Sequence, residues 1–449
     1  MAVRIIPDHY GTPGAQYHLI RFDKHGDERD EPDGTKGSEL VHEELQRMPA
    51  VTDVFIISHG WHADEEGAMA QYDSWVSEMI LNKPEISRPF HPHIVGVHWP
   101  SKAWGNDHID PVEGEPGTIG IDRAVETYAA IISDDAEASR AMTSIFTAVT
   151  EAHKGSVDPT SLVMPDNLAR DYETIAAKAT LGPDENGRTS TDWSAKEAFR
   201  SALRDTDPSE KVAAIDDRSW VARIRDAILA PMRQLSFWTM KDRARVVGET
   251  GLHSLLTEMQ KITLSANGTV RYHLMGHSFG CIVASAAIAG PSDAPKPLKV
   301  HSLLLLQGAL SIWAYAEDPP NTAAEGYFHR LLVRRAVIGP IVTTRSRLDF
   351  AVGRFYPIGA GIAQQIVLGE GDDPVYGGLG AFGIRGVDDA KPAQILPVGS
   401  DYGFARGAIY NVDASAVIAA RKPIEGAHND IVHPEIAEMA WQAVLATGS

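Results

Sequence analysis

Cysteine is nearly absent from this sequence, which contains one, Cys281, among 449 residues. A single thiol cannot form an intrachain disulfide, so the chain is not one of the disulfide-stapled secreted proteins. We expect Cys281 to be a small buried apolar side chain rather than a reactive thiol. This cysteine usage is compatible with a reducing compartment such as the cytoplasm.

Long apolar runs are also missing, and none approaches the ~18–20 residues that a membrane-spanning helix requires. The first residues include Pro7, Gly11 and Pro13 where a secretory signal would have an apolar segment. We therefore expect a cytoplasmic protein with no stable insertion into membranes.

Positive charge is scarce: 41 lysine and arginine residues stand against 60 aspartate and glutamate residues, for a net charge of -19. A surface this acidic repels phosphate backbones, so we expect no nucleic-acid partner. Hydrophobic residues make up 43% of the chain and charged residues 22%, which is typical of a globular protein.

Short apolar segments that suit buried strands recur along the chain. They span residues 53–58, 93–99, 270–275, 300–306, 340–344 and 408–412, and segments with helical spacing lie between many of them. This alternation predicts an α/β fold with a mostly parallel, twisted sheet and helices on both faces. Functional residues of such sheets gather at the carboxyl ends of the strands. We interpret the glycine-rich segment 369–386 as a loop.

The pattern becomes helical in the second quarter of the chain, between two stretches that suit a single sheet. We therefore interpret residues 1–105 as the N-terminal part of one core and residues 236–449 as its C-terminal part. Residues 106–235 are expected to form a helical insertion, a cap or lid, rather than an independent domain.

Gly276, Ser278 and Gly280 form a G-x-S-x-G motif. An apolar segment, YHLM, leads into the motif, and a segment of small residues, CIVASAAIA, leads out of it. A serine at a tight strand-to-helix turn needs glycine on either side, because β-carbons there would keep the strand and the helix apart. The N-terminus of the following helix favours a developing negative charge. The motif therefore predicts that Ser278 is a nucleophile.

In this context the motif resembles the nucleophile elbow of the α/β-hydrolase superfamily, in particular of its serine esterases and lipases. The order of elements from about residue 50 onward is similar as well. The resemblance implies an α/β-hydrolase fold with a catalytic triad. The tripeptide His59-Gly60-Trp61 follows the segment 53–58, as a similar His-Gly dipeptide follows the third strand of these enzymes. This likeness implies an oxyanion hole formed by the backbone N–H groups of Trp61 and Phe279.

The resemblance further implies that an acid and then a histidine follow Ser278 in the chain. We expect His428, in a loop after the last strand, to be the general base, with His433 at the start of the last helix as the alternative. Asp349 is the expected acid if residues 340–344 (PIVTT) form the seventh strand and residues 408–412 (AIYNV) form the eighth. Asp413, directly after the latter segment, is the alternative acid.

A metal site is a weaker interpretation of the residues near the expected oxyanion hole. His59, His62 and Asp64 follow an H-x-x-H-x-D pattern, which lacks the H-E-x-x-H spacing of a zinc-binding helix and has no cysteine partner. We expect no metal and no cofactor.

Together, these residues predict a serine hydrolase that cleaves carboxylic esters through an acyl-enzyme intermediate. Its expected partner is a small-molecule or acyl-chain ester. Thioester or amide hydrolysis by the same residues remains open. A non-catalytic binding or scaffold protein on the same fold is the alternative of a different class.

Overall fold

The computed structural model describes residues 2–47, 51–61, 64–101, 121–153, 163–179, 193–204, 217–265, 270–292, 294, 298–320, 324–355, 377–422 and 426–447. Nine strands in this part of the chain form one sheet, in the order β1-β2-β4-β3-β5-β6-β7-β9-β8. The strands are β1 Val3–Ile5, β2 Gln16–Arg21, β3 Asp53–Ser58, β4 Pro92–His98, β5 Arg271–His277, β6 Ser302–Leu306, β7 Ile341–Arg345, β8 Ala390–Gln394 and β9 Ile409–Asp413.

Among the described strands, β1 alone runs antiparallel to its neighbour, and the other strand pairs are parallel. The helices are α1 Gly37–Gln46, α2 Glu65–Leu81, α3 Ile121–Ile131, α4 Ala136–His153, α5 Asp166–Lys178, α6 Ala195–Arg204, α7 Asp217–Val247, α8 His253–Ser265, α9 Gly280–Ala289, α10 His329–Val333, α11 Leu379–Phe382 and α12 Pro434–Leu445. The α/β class and the mostly parallel sheet predicted from the sequence are confirmed.

The sheet has a separate hydrophobic core on each face. Within β3, Val54 and Ile56 belong to one core, whereas Phe55 and Ile57 belong to the other. This alternation follows from the pleat of a strand, which directs successive side chains to opposite faces. The position of β3 between β4 and β5 places apolar layers on both of its faces, which explains its continuous apolar sequence.

The helices of the expected insertion pack on one face of the sheet. Apolar residues of α3 to α7 belong to the same core as α9 and the strands. The predicted boundary at residue 235 falls inside α7, which runs continuously from Asp217 to Val247. A π-helical turn, Gly248–Leu252, then connects α7 to α8. A β-carbon at Gly248 would lie 2.6 Å from Ala286 Cβ, so this turn depends on glycine to pack against α9.

Several details differ from the sequence predictions. The strands β1 and β8 were not predicted, and because β8 precedes it the AIYNV segment forms the ninth strand and not the eighth. The segment 369–386, predicted as a loop, contains the short helix Leu379–Phe382 in its described part. The helix α2 was also not predicted, because the buried polar residues Asp73 and Ser77 interrupt its apolar stripe.

No helix in the described ranges combines the length and apolarity needed to cross a bilayer.

Candidate active site

Ser278 lies at a tight turn between the central strand β5 and the helix α9. Its φ angle is 55°, a left-handed conformation that a residue with a side chain adopts only at a cost. The turn requires both flanking glycines. A β-carbon at Gly276 would overlap the backbone of Gly280, and one at Gly280 would overlap the carbonyl of Ser58. The residues of the G-x-S-x-G motif therefore adopt the geometry that the sequence predicted for them.

The loop after β3, residues 59–61, lies directly against this turn. A β-carbon at Gly60 would lie 2.6 Å from the β-carbon of Ser278, so only glycine permits the approach. Pairing of β3 with β5 in register, with Ser58 opposite Gly276, brings the two strand ends together. The backbone of the loop is therefore held beside the serine hydroxyl.

His428 contacts Ser278 through its side chain. The distance between His428 Nε2 and Ser278 Oγ is 2.8 Å, and the other ring nitrogen, Nδ1, lies 2.8 Å from Asp349 Oδ2. The three side chains thus form a continuous hydrogen-bonded chain, although His428 lies 150 positions from Ser278 and 79 positions from Asp349 in the sequence. Ser278 is 3% exposed, His428 8% and Asp349 1%.

Backbone pairing explains why the loop that carries His428 lies against the segment that carries Asp349. Ala427 N–H donates to Leu348 O at 2.8 Å, and Asp349 and Gly426 form an antiparallel bridge. Gly426 has a φ angle of 60°, and a β-carbon there would overlap Leu348 O. The glycine lets the loop before His428 pack directly on the segment that carries Asp349.

In the described part of the chain, the carboxylate of Asp349 accepts hydrogen bonds from three groups. Besides His428, the donors are the side-chain amide of Gln307, at 2.9 Å from Oδ2, and the backbone N–H of Val352, at 2.9 Å from Oδ1. Gln307 follows β6 and is fully buried, with a left-handed φ of 45°. Gln307 was not among the residues predicted from the sequence, although its place directly after a buried strand is where functional residues of parallel sheets gather.

The two alternative residues have other partners. Asp413 pairs with Arg345 at 2.9 Å and accepts hydrogen bonds from the backbone and hydroxyl of Ser415. These donors and the charge of Arg345 lower the pKa of Asp413, against the effect of burial. His433 is the N-cap residue of α12, and its Nε2 lies 2.8 Å from Asp430 Oδ1. Asp413 thus bonds to the turn after β9, and the side chain of His433 bonds to the loop that precedes α12.

The two expected oxyanion-hole residues are neighbours in space. The indole of Trp61 stacks on the ring of Phe279, with 5.4 Å between the ring centroids. Phe237, on α7, packs edge-on against both rings. Phe279 directly follows Ser278 and is the N-cap residue of α9, so its backbone N–H lies at the positive end of that helix.

Cys281 is fully buried and its thiol lies 3.1 Å from Gly276 O. Burial raises the pKa of this thiol, which therefore stays protonated and is a poor nucleophile.

Of the three residues considered for metal binding, His62 lies outside the described residues. Asp64 is the N-cap of α2 and accepts from Gly67 N–H at 2.8 Å. His59 is buried, and its Nδ1 lies 2.8 Å from Gly60 O. Burial lowers the pKa of His59 to about 3. Within the described ranges, no three His, Cys, Asp or Glu side chains are grouped so that they could hold a metal ion.

A second Asp–His–Ser array lies at the amino ends of the central strands. His273 Nε2 lies 3.2 Å from Asp53 Oδ1, and His273 Nδ1 lies 2.8 Å from Ser302 Oγ. Asp53 also forms a two-pronged ion pair with Arg88, with both distances 2.6 Å. All three members of the array are almost completely buried, and Ser302 has no exposed surface, whereas Ser278 is 3% exposed.

Comparisons with family models, with curated proteins and with solved structures found no match to this chain.

Proposed function

We propose that this chain is a serine hydrolase of the α/β-hydrolase fold that cleaves carboxylic esters. The observation that carries the proposal is the hydrogen-bonded chain of Ser278, His428 and Asp349, at a tight turn after the central strand of a parallel sheet. The order of these residues in the sequence, serine then acid then histidine, is the order found in that superfamily.

The two hydrogen bonds of His428 indicate which of its ring nitrogens carries hydrogen before the reaction starts. The carboxylate of Asp349 accepts from His428 Nδ1–H, so Nε2 of the neutral ring carries no hydrogen and accepts from the Ser278 hydroxyl. His428 takes that proton as Ser278 Oγ attacks the ester carbonyl. The new Oγ–C bond converts the carbonyl oxygen into an oxyanion, and Asp349 stabilises the imidazolium that forms.

The backbone N–H groups of Phe279 and Trp61 are the proposed donors to the oxyanion. Phe279 is the N-cap residue of α9, and Trp61 follows the glycine that packs against Ser278. Each such donor contributes on the order of 10²–10³ in rate. Collapse of the oxyanion breaks the bond to the alcohol, which leaves with the proton from His428.

The second half of the reaction repeats these steps with water. His428 takes a proton from a water molecule that attacks the acyl-enzyme carbonyl, and then returns the proton to Ser278 Oγ as the acid product leaves. Esters are the proposed substrates, small molecules or acyl-chain esters, because an alcohol is a better leaving group than an amine.

Hydrolysis of p-nitrophenyl esters of increasing acyl length, together with labelling by a fluorophosphonate probe, tests the proposal. We expect the wild type to hydrolyse at least one ester and to be labelled once per chain. The variant Ser278→Ala should lose both properties, with kcat reduced on the order of 10⁶-fold. Ser302→Ala is the matched control, because it removes the serine of the buried array and should leave labelling unchanged.

A wild type that neither reacts with the probe nor turns over any ester would contradict the proposal and favour a binding or scaffold protein. A different outcome would be that the chain hydrolyses thioesters or amides much faster than esters of the same acyl group. That result would leave Ser278 as the proposed nucleophile but would change the proposed substrate class.

A further inference from the structure

His277, the residue before the proposed nucleophile, connects three segments of the chain. It is 5% exposed. Its Nδ1 lies 2.9 Å from the side-chain amide nitrogen of Gln71 on α2, and its Nε2 lies 3.0 Å from the backbone carbonyl of His428. The rings of His277 and His428 lie with their centroids 5.0 Å apart. None of the proposed catalytic steps uses this imidazole.

The hydrogen-bond partners determine which nitrogen of His277 carries the proton. A carbonyl oxygen can only accept, so Nε2 must carry hydrogen to bond to His428 O. A neutral imidazole then has no hydrogen on Nδ1, which accepts from the amide N–H of Gln71. The three groups therefore form an ordered relay of two hydrogen bonds, from Gln71 to His277 and from His277 to the His428 backbone.

The surroundings of His277 keep the ring neutral. Burial is the main cause that lowers the pKa of His277 to about 3, and the charge of His428 lowers it further. The hydrogen bond to His428 O and the charge of Asp349 act in the opposite direction but are outweighed. The ring therefore stays uncharged while the neighbouring His428 gains and loses a proton.

We propose that His277 is a positioning residue, whose Nε2–H holds the backbone of His428 at a fixed distance from the strand that carries Ser278. The inference rests on the proposed function of Ser278 and His428. His277 is the last residue of β5 and directly precedes Ser278. The hydrogen bond from its ring to His428 O therefore connects the backbone of the proposed base to the strand that leads into the proposed nucleophile. Pairing of Ala427 with Leu348 ties the same loop to the segment of the acid.

Gln71 extends this role to the other side of the site. It lies on α2, the helix that follows the loop of residues 59–61, and this loop packs on Ser278 through Gly60. The amide of Gln71 therefore fixes both the orientation and the tautomer of His277 from the helix next to the proposed oxyanion loop.

Two substitutions at position 277 separate positioning from packing. His277→Phe keeps a planar ring but removes both hydrogen bonds, and we expect kcat to fall about 10–100-fold with little change in KM, because small displacements of a catalytic group cost this much. His277→Gln can present an N–H near the position of Nε2 and should recover part of the loss. His273→Phe is the matched control, because it removes a buried imidazole near the amino end of the same strand, away from Ser278.

Nuclear magnetic resonance of ¹⁵N-labelled histidine tests the inference without any substrate. We expect a neutral His277 with hydrogen on Nε2 between pH 5 and 8, as the partners and the lowered pKa require. In Gln71→Glu the carboxylate can only accept, so hydrogen should appear on Nδ1, and the ¹⁵N spectrum of His277 should differ from that of the wild type.

The outcomes of these experiments are distinct. Hydrogen on Nδ1 in the wild type, or a fully active His277→Phe, would overturn the positioning role while leaving the proposed function intact. An unreactive wild type whose His277 carries hydrogen on Nε2 would overturn the proposed function. In that case the inference reduces to a structural link between α2, β5 and the His428 loop.

Discussion

Gln307 and His428 donate hydrogen bonds to the same oxygen of Asp349, at 2.9 and 2.8 Å from Oδ2. Gln307 also donates to Gly380 O at 2.9 Å, while its backbone N–H is held by Thr344 Oγ1 at 3.0 Å. Its left-handed φ of 45° in a buried site carries a conformational cost of about 1–3 kcal/mol. The surrounding hydrogen bonds hold Gln307 in this conformation. Its side-chain amide and the imidazole of His428 therefore both bond to the same carboxylate oxygen of Asp349.

The variant Gln307→Glu should make activity depend on pH in a new way. A protonated carboxyl group at this position can still donate to Asp349, but an ionised one places a second negative charge beside it. The added charge favours the protonated form of His428, which cannot act as a base. We therefore expect the ratio of variant to wild-type kcat/KM to fall as the pH rises, whereas a constant ratio would argue against the shared carboxylate oxygen.

Asp349→Asn should lower kcat about 10⁴-fold, because an amide cannot stabilise the imidazolium and allows the wrong tautomer of His428. Asp413→Asn is the matched control, since Asp413 pairs with Arg345 and Ser415 instead. Steady-state kinetics on one p-nitrophenyl ester compare the two variants. If Asp413→Asn were the more damaging change, the acid would have to be reassigned.

Gly60→Ala should lower the kcat of the folded protein in addition to lowering its free energy of unfolding. The new methyl group would lie 2.6 Å from Ser278 Cβ, so Ser278 or the loop of residues 59–61 must move. Gly339→Ala provides a comparison, because its methyl group would overlap His301 O away from the site. Urea unfolding and ester hydrolysis of both variants should show loss of stability in each but loss of kcat per folded molecule only in Gly60→Ala.

Acid should destabilise the fold through its buried histidines. Burial lowers the pKa of His59 and His277 to about 3 and that of His93 and His301 to about 4, below the usual value of about 6.5. Between about pH 6.5 and these values the unfolded chain binds protons that the folded chain excludes. The free energy of unfolding should therefore decrease as the pH is lowered through this range, by about 1.4 kcal/mol per pH unit for each group.

Urea titrations at pH 7 and pH 5 measure this loss directly. His93→Phe removes one of the groups at a site far from Ser278 along the chain, and it should reduce the slope of stability against pH. An unchanged slope would mean that His93 is protonated in the folded protein.

The elements around Ser278 could be predicted because local sequence determines them. The strand Asp53–Ser58 has the bounds that its apolar run indicated, and the glycines of the motif accommodate a turn that a β-carbon would block. The strand β8 could not be predicted. Its residues are largely exposed, and Pro392 interrupts any strand pattern, so neighbouring β9 rather than its own sequence makes it a strand.

Long-range contacts limited the prediction of the site. Asp349 follows β7 and Asp413 is the last residue of β9, and the pairing of Gly426 and Ala427 with the segment around Leu348 brings Asp349 to His428. Gln71 lies 206 positions from His277 in the chain, on a helix that the sequence pattern did not indicate. No spacing rule connects such residues, because the sheet brings their segments together.

The outer edge of β8 has a consequence for behaviour at high concentration. An edge strand with free N–H and C=O groups can recruit a strand from another molecule and so begin aggregation. Pro392 has no N–H to offer, and the charged Lys391 beside it opposes close approach of an apolar strand. At the opposite edge β1 is only three residues long. Both edge strands of the nine-stranded sheet are therefore poor templates for a strand from another molecule. We expect this feature to oppose edge-to-edge association between copies of the chain.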